Sequence, residues 1–575
     1  MSRPHSHLFE VEAEVDDPAP DLTFVMPVWT PGSYLVREFA RHLEGFAAED
    51  EAGRLLPSRR LDKHRFRVEG AGSGPVRVRY RVYAYDLTVR TAHLDGRHGY
   101  FNGANLFVFA EGRLSEPVDL EVVPPPGWRV TTALEGGPTR FRARDYDELA
   151  DSPVEAGTHE VEAFEARGRR HEVAIVGRGN LDVLQFLSDL RRVVEKMGET
   201  MGEVPYDRYL FIVHLADRRR GGLEHERSTT LHLGRNSFFP KEVYEETIAL
   251  AAHEFLHLWN VKRLRPAAFV PYDYSKEQYT RLLWWFEGVT SYYDRLTIVR
   301  AGVGDPGRYL KHLGQEWTAL LRQPGRRKMS LEEASLTAWV KYYRPDENTP
   351  NSAVSYYQKG ELVALALDLA LRREGRSLDD LLRLLYRRYR SEGMPEDGPE
   401  LGLAELIGEA PARRLFDRLV RGTEPLEADL DLVGLGLKTR TAQDLDDKGG
   451  TPTRRNATDP EPGWLGAEVV GGAKLVVKSV REDGPASPAG LYAEDEIVAE
   501  SGFRVDRAAL FERMRALGPG GELRLTVFRR DELVEVRVPL GAPPEDTVWI
   551  EPVPAPTRSQ EAAFGSWAGV TLPPR

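Results

Sequence analysis

Two histidines and a glutamate lie within five consecutive residues near the middle of the chain, in the string His253-Glu-Phe-Leu-His257. On an α-helix, residues four apart project from the same face, so the two imidazoles can bind one cation together. Glu254 lies beside that face, where a carboxylate can act as a general base. The pattern is typical of a zinc site that activates water for the hydrolysis of an amide bond.

A catalytic zinc normally has three protein ligands and one open position, so a third ligand is expected on a nearby helix. Glu287 is the candidate, because it is the carboxylate in an apolar run, Leu282-Leu-Trp-Trp-Phe-Glu-Gly288, where an unpaired charge would be costly to bury. The sequence therefore predicts one Zn²⁺ per chain, bound by His253, His257 and Glu287. Glu254 would take the proton of the attacking water and pass it to the leaving amine. The alternative is a buried hydrogen-bonded cluster without a metal.

The residues around the motif have the features of a helix. Pro240 precedes acidic residues in the early turns and apolar residues further on, which predicts a helix over residues 240–259. Further helices are predicted over residues 276–299, 359–373 and 378–390. Residues from about 8 to 163 instead show short alternating runs broken by Pro and Gly, which are typical of an antiparallel β domain.

Length and charge restrict the architecture and the class of partner. The 575 residues predict roughly three or four domains. The 78 basic and 90 acidic residues give a net charge of −12, which argues against nucleic acid as a partner. Because the chain contains no cysteine, any metal must be bound by His, Asp or Glu. The N-terminus lacks the apolar core of a secretory signal, and no stretch has the roughly 20 apolar residues of a membrane helix. A cytoplasmic protein without a membrane partner is therefore predicted.

A polar segment rich in turn-forming residues, at about 441–463, predicts a linker. The expected fold class is a multidomain α+β protein. Its predicted domains are an N-terminal antiparallel β domain over 1–163, a mainly α catalytic domain over 164–445, a linker and C-terminal module over 446–541, and a tail over 542–575. Trp549, Phe564 and Trp567 of the tail are expected to pack onto the body.

Three strings resemble one known family. The string His253-Glu-Phe-Leu-His-Leu-Trp-Asn-Val-Lys-Arg-Leu-Arg-Pro266 is similar to the glycyl aminopeptidase family of gluzincin zinc metallopeptidases, relatives of aminopeptidase N. The run that contains Glu287 resembles the family's third-ligand helix, and residues 26–41 resemble its β-domain signature. The resemblance implies a β domain, a thermolysin-like catalytic domain and a PDZ domain. It also implies an aminopeptidase that removes N-terminal Gly or Ala from peptides with a free N-terminus. Trp29, Tyr34 and Arg37 could line the substrate entrance or pack a domain interface.

The same resemblance suggests residues that contact substrate. Gly221-Gly-Leu-Glu-His225 resembles the strand that holds the peptide backbone in relatives of aminopeptidase N, where the Glu pairs with the free amine. It therefore implies substrate binding by Gly221, Gly222, Leu223, Glu224 and His225, although His225 replaces an Asn. Tyr357, in Tyr357-Gln-Lys-Gly360, resembles the Tyr that stabilises the oxyanion. The alternatives are an exposed acidic loop at Glu224, a role for Tyr356 instead, and a core position for either Tyr.

Residues 464–538 contain short strands and turns that resemble a PDZ domain, which would bind an extended peptide along a sheet edge. A module used for domain packing or for contacts in a homo-oligomer is the alternative. At the level of the whole chain, two other functions remain open. One is a non-catalytic PDZ scaffold, and the other is a different gluzincin hydrolase, an endopeptidase or an epoxide hydrolase. A requirement for a free amine in the substrate would distinguish an aminopeptidase from these hydrolases.

Overall fold

The computed structural model of the protein describes residues 1–18, 21–72, 74–216, 220–453, 460–471 and 474–575. Contacts divide the chain into two compact units. The first consists of Met1–Thr280 and Leu382–Gly398, and the second of Arg281–Leu381 and Pro399–Arg575. No helix within the described ranges is long and apolar enough to cross a bilayer.

The N-terminal part of the first unit is built from antiparallel strands, in the orders β1-β7-β3-β4, β10-β2-β6-β5, β11-β14-β13 and β12-β15-β9-β8. Residues 76–83 explain why they form: Val and Tyr alternate with Arg, so the apolar side chains are buried while the arginines pair with glutamates across the sheet. The predicted β-rich N-terminal region is thus confirmed. Its strands are β1 (Leu8–Val15), β2 (Asp21–Val25), β3 (Leu43–Glu49), β4 (Leu55–Leu56), β5 (Ser58–Arg60), β6 (Arg65–Glu69), β7 (Val76–Tyr83), β8 (His93–Leu94), β9 (His98–Phe101), β10 (Phe109–Ala110), β11 (Val118–Glu121), β12 (Arg129–Thr132), β13 (Glu135–Gly136), β14 (Arg140–Ala143) and β15 (Val154–Gly157), with short helices α1 (Gly103–Leu106) and α2 (Tyr146–Ala150).

A mixed sheet of five strands follows, in the order β16-β17-β18-β20-β19. Its central strands are parallel, and the edge strand β19 runs antiparallel to β20. The bounds are β16 (Glu160–Ala166), β17 (Arg169–Gly177), β18 (Arg208–Leu215), β19 (Gly221–Glu224) and β20 (Ser228–Leu233). Two helices, α3 (Val183–Met201) and α4 (Lys241–Leu256), pack against one another, and α4 also packs on β19 and β20. The edge strand and the motif-bearing helix are therefore neighbours.

The middle region of the chain is helical, as predicted. It contains α5 (Thr290–Arg300), α6 (Pro306–Leu321), α7 (Leu331–Leu336), α8 (Thr349–Ser352), α9 (Gln358–Arg373), α10 (Leu378–Tyr389), α11 (Gly398–Ile407) and α12 (Glu409–Phe416), with π-helical turns at Trp284–Val289 and Asp417–Arg421. Three of the predicted helices match α4, α9 and α10 within a few residues.

The helix predicted over residues 276–299 is wrong at its start, because regular helix begins only at Leu283. The preceding residues are held by side-chain hydrogen bonds that compete with helical ones. Gln278 donates from Nε2 to the carbonyl of Ala268 and accepts from the backbone N–H of Asp273, at 2.9 Å in each case. Tertiary contacts thus outweigh the local helical pattern in this segment.

The C-terminal part of the second unit contains a sheet in the order β22-β23-β24-β26-β27, with β25 paired to β24 and a helix, α13. A separate pair, β21 and β28, is antiparallel, and the chain ends in α14. The tail packs on its own unit, because Trp567 is fully buried and donates from Nε1 to the Tyr292 hydroxyl at 2.7 Å. Residues 454–459 of the predicted linker lie outside the described residues. The bounds are β21 (Leu435–Arg440), β22 (Ala467–Val470), β23 (Leu475–Val480), β24 (Glu496–Glu500), β25 (Phe503–Arg504), α13 (Arg507–Leu517), β26 (Glu522–Arg529), β27 (Glu532–Pro539), β28 (Thr547–Pro552) and α14 (Arg558–Ala568).

Candidate active site

The C-terminal end of α4 carries the two histidines of the motif. Their rings lie with centroids 4.7 Å apart and planes at 82°. The Nδ1 atom of His257 is 2.9 Å from the carbonyl oxygen of Asn260, and a carbonyl can only accept, so Nδ1 carries the proton and Nε2 carries the lone pair. A metal-binding histidine is commonly oriented in this way by its other ring nitrogen. The donors that α4 presents therefore fit a zinc ion.

Glu254 lies between α4 and the edge strand β19. Its side chain is buried, and a Cβ added at Gly222 would be 2.1 Å from its Oε1 atom. One ligand atom from each of Glu224, Glu254 and His257 lies within 4.8 Å of the other two. Absence of a side chain at Gly222 is thus what allows the Glu254 carboxylate to lie against the strand.

Glu224, at the end of β19, is a buried carboxylate that lacks a complete set of partners. It is 4% exposed, and its Oε1 atom makes no hydrogen bond to any residue that the structure describes. A buried charged acceptor without a donor is costly. The Oε1 atom of Glu224 can therefore still accept a hydrogen bond.

Gly32, in the Thr-Pro-Gly-Ser turn of the N-terminal β region, faces the same carboxylate. A Cβ added at Gly32 would lie 2.5 Å from Glu224 Oε1, and Gly32 has a φ of +87°. The sequence assigned no role to Gly32. The available signal was the Pro-Gly pair, which indicates a turn but not what the turn contacts.

The aromatic residues near Gly32 anchor this turn instead of lining an entrance. Trp29 and Tyr34 are buried against Phe269, and Trp29 also donates from Nε1 to the carbonyl of Asp273 at 2.8 Å. Arg37 donates to the hydroxyl of Ser33 at 2.7 Å. Of the two roles that the sequence left open, packing is therefore the one that Trp29 and Tyr34 have.

His225 follows the last residue of β19. Its ring contacts the carboxylate of Asp151, not that of Glu224 or Glu254. Its Nδ1 atom is 3.0 Å from Asp151 Oδ1, which also accepts from Lys262 Nζ at 2.6 Å. Burial alone would raise the pKa of Asp151, but the ammonium of Lys262 and the hydrogen bond from His225 hold it well below its usual range. Sequence reasoning missed Asp151 and Lys262, although Lys262 lies in the string that carries the family resemblance. This buried trio fixes the chain that follows Glu224.

The second unit carries the remaining predicted residues. Glu287 is 2% exposed and lies in the π-helical turn before α5, a deviation from α-helix that is frequent at functional sites. This turn packs closely on α9, because a Cβ added at Gly288 would be 2.5 Å from the α-carbon of Gly360.

Tyr357 stands at the N-terminal end of α9. Burial, and secondarily the charge of Glu287, raise its pKa well above the usual value, so its hydroxyl stays protonated. Its neighbour Tyr356 is 0% exposed, whereas Tyr357 is only half-buried. Of the two tyrosines, only Tyr357 has a partly exposed side chain.

Comparison with known proteins identifies two matching family models. The model for the peptidase M61 N-terminal domain matches residues 1–158, and the model for M61 glycyl aminopeptidase matches residues 246–363. A solved structure of an aminopeptidase N family protein from Idiomarina loihiensis is 32% identical and covers 98% of each chain, with a TM-score of 0.92.

More distant or partial matches also occur. An M1 zinc metallopeptidase from Deinococcus radiodurans is 12% identical over 74% of this chain and 92% of its own, with a TM-score of 0.49. A stretch of 100 residues is 32% identical to a probable periplasmic serine endoprotease, DegP-like, from Brucella suis biovar 1, covering 15% of this chain. The chain spans only 20% of the length of that curated relative.

Proposed function

The chain belongs to the family of M61 glycyl aminopeptidases and is a peptidase, and we propose that it uses zinc to remove glycine or alanine from the N-terminus of peptides. The observation that carries this proposal is the buried Glu224 carboxylate, whose Oε1 has no donor among the described residues, close to Glu254 and His257. An ammonium group at that oxygen would satisfy it, and in an unmodified peptide the backbone offers one only at the N-terminus.

Glu224 binds and orients the substrate in this proposal. A charge-assisted hydrogen bond to the α-ammonium would contribute about 1.5–3 kcal/mol. Because the bond needs a free amine, it accounts for exopeptidase specificity. Gly221, Gly222 and Leu223, on the edge strand β19, would hold the backbone of the peptide by strand addition. The Nδ1 atom of His225 is bonded to Asp151, so one contribution of His225 would be to fix the end of this strand.

Glu254 is the general base. It would take a proton from the attacking water and deliver it to the nitrogen of the leaving peptide, a role typically worth about 10²–10⁴-fold in rate. Its burial against Gly222 fixes the carboxylate in one position. One catalytic zinc per chain, held by His253, His257 and Glu287, would polarise the scissile carbonyl and lower the pKa of water when bound.

Tyr357 would stabilise the negative charge that develops on the carbonyl oxygen. Its hydroxyl keeps its proton because burial raises the pKa well above its ordinary value. It can therefore donate a hydrogen bond throughout the neutral range. Such a donor accelerates the reaction because the charge that it binds exists only in the transition state.

The C-terminal module over residues 446–541 is proposed to be a PDZ domain that binds an extended peptide. The order of its strands, the helix α13 and its own apolar core support this assignment. Strand β22 is at the edge of the sheet, which is where a peptide strand could be added.

Substitution Glu254→Gln tests the proposed function most directly. The variant should retain its zinc and lose activity on glycyl and alanyl arylamides by about 10²–10⁴-fold. Glu242→Gln is the matched control, because Glu242 is an exposed residue at the start of the same helix. Metal content, measured on both variants and on His257→Ala, separates loss of the base from loss of the ion.

The N-acetylated glycyl arylamide tests the role of the amine. It should not be hydrolysed, because acetylation removes the charge that Glu224 would bind. If it is turned over as fast as the free glycyl substrate, the chain is not an aminopeptidase. If Glu254→Gln retains full activity, Glu254 is not the base.

A further inference from the structure

A histidine-rich hairpin in the N-terminal β region contains none of the residues assigned to the proposed peptidase site. Strands β8 and β9 are joined by a tight turn, with the sequence His93-Leu-Asp-Gly-Arg-His98. One ligand atom from each of His93, Asp95 and His98 lies within 4.8 Å of the other two. The Nε2 atom of His93 is 3.7 Å from Asp95 Oδ2, and the rings of the two histidines have centroids 4.9 Å apart.

His93 is held in the tautomer that a metal ligand requires. Its Nδ1 atom is 2.8 Å from the carbonyl oxygen of Tyr85, so Nδ1 must donate and Nε2 presents its lone pair toward Asp95.

Asp95 supplies the negative charge. Its Oδ1 atom accepts from the backbone N–H groups of Arg97 and His98, at 2.7 and 3.1 Å, which leaves Oδ2 for a metal. Arg97 also contacts Oδ2, at 3.1 Å, but its side chain is 80% exposed, so this ion pair is weak and easily displaced.

His98 is oriented by a carboxylate. Its Nδ1 atom is 3.0 Å from Glu155 Oε1, and the other oxygen of Glu155 is 2.8 Å from His214 Nε2. With Nδ1 donating to Glu155, Nε2 is the atom of His98 that remains for a metal. A carboxylate behind a histidine in this way is a common support for a zinc ligand, because it fixes the ring and raises its basicity.

We propose that His93, Asp95 and His98 form a second divalent-cation site, of the kind that binds Zn²⁺, separate from the peptidase centre. Ligand bonds of about 2.0–2.2 Å place tetrahedral ligand atoms roughly 3.3 Å apart, so a small movement of side chains closes the site around an ion. Two imidazoles and one carboxylate match the preference of zinc for N and O ligands. The ion would crosslink the two strands of the hairpin. The hydrogen bonds from His98 to Glu155 and from Glu155 to His214 would connect this site to β15 and β18.

Zinc titration of the full-length protein tests this proposal. Metal-free protein is titrated with Zn²⁺ against a chromogenic chelator, and the bound equivalents are counted. The wild type should bind two, and His257→Ala, which damages the proposed catalytic site, should bind one. His93→Ala combined with His257→Ala should bind none, as should Asp95→Asn in the same background. His257→Ala should therefore bind one more equivalent of Zn²⁺ than either double variant. This difference does not depend on the proposed peptidase function.

His5→Ala is the matched control. The His5 ring packs against the same turn, because a Cβ added at Gly96 would be 2.9 Å from its Nδ1 atom, but His5 is not a proposed ligand. In the His257→Ala background it should leave one equivalent bound. Added Zn²⁺ should also raise the Tm of His257→Ala by several degrees and leave that of Asp95→Asn/His257→Ala unchanged. If His257→Ala binds no zinc with a Kd below about 10 μM, the hairpin is only a hydrogen-bonded cluster. The same conclusion follows if Asp95→Asn in the His257→Ala background changes neither the bound zinc nor the rise in Tm.

Discussion

Gly222 lies so close to Glu254 that a Cβ added to Gly222 would be 2.1 Å from the Oε1 atom of the carboxylate. The two residues belong to different elements, the edge strand β19 and helix α4. A glycine at this place is therefore a condition for the position of the proposed general base.

Gly222→Ala should lower kcat on glycyl arylamides by about 10²-fold, because a displacement of the base by about 1 Å misaligns proton transfer. Gly221→Ala is the control variant, because the atom nearest to a Cβ added at Gly221 would be Arg90 Nη1, at 4.0 Å. The decrease in kcat of this variant should be much smaller. Equal losses in the two variants would show that the strand, not the carboxylate, is affected. Steady-state kinetics provides the measurement.

Gly32→Ala should lower kcat/KM by about 10-fold or more, because the new Cβ would be 2.5 Å from Glu224 Oε1 and would displace the carboxylate proposed to bind the amine. Gly45→Ala controls for backbone strain. Gly45 has a φ of +67° but no atom within 4 Å of an added Cβ. A similar loss in both variants would assign the effect to strain and remove Gly32 from the site.

Tyr357→Phe should lower kcat by about 10²–10³-fold with little change in KM, since the hydroxyl is proposed to act only in the transition state. Tyr356→Phe should have a small effect on kcat, because Tyr356 is fully buried. The pKa of Tyr357 is raised well above 10, so deprotonation of Tyr357 should cause no loss of activity below that pH. Rates measured from pH 6 to pH 10 check both statements.

Lys262→Met should destabilise the protein by about 3 kcal/mol at pH 8, because it removes the ammonium that pairs with Asp151 and leaves only the hydrogen bonds from His225 and from the Glu226 backbone. In the wild type the pKa of Asp151 is lowered, so its contribution to stability is present above about pH 3.9 and is lost as pH falls through the folded pKa. The pKa of Lys262 is raised, so its contribution is complete below about pH 10.4 and is lost as pH rises through the folded value.

Without the ammonium, burial should raise the pKa of Asp151, and protonation should then relieve part of the cost. The destabilisation by Lys262→Met should therefore be smaller at pH 5 than at pH 8 when measured by urea unfolding. Lys241→Met, at an exposed lysine on α4 whose pair with Glu245 is 3.9 Å long, should change the free energy of unfolding by less than about 0.5 kcal/mol. A pH-independent loss at Lys262 would contradict the coupling.

Asn351→Ala should loosen the C-terminal module. The Asn351 side chain donates to the carbonyl of Val480 at 2.8 Å and accepts from the backbone N–H of Glu482 at 3.0 Å. Loss of these two part-buried hydrogen bonds should cost about 1–3 kcal/mol. Limited proteolysis should then cut within residues 460–541 sooner than in the wild type, whereas Glu347→Gln, at an exposed position nearby, should not accelerate cleavage.

The sequence by itself determined features that depend on local periodicity. The spacing of His253 and His257 places two imidazoles on one helical face whatever the rest of the chain does, because the α-helix repeats every 3.6 residues. Alternation of Val and Tyr with Arg over residues 76–83 likewise specified a strand with one buried face. Both patterns are read within a dozen residues, and both are present in the structure.

Only the tertiary structure decided which distant residues meet. The contact of Gly32 with Glu224, and the burial of Lys262 and His225 on Asp151, depend on how separate segments pack, and no local pattern encodes them. Packing also overrode a local signal at residues 276–282, where side-chain hydrogen bonds replace the first turns of the expected helix. A periodic pattern determines the direction of a side chain within its own helix or strand. The residues that this side chain contacts are determined by the free energy of the whole folded chain.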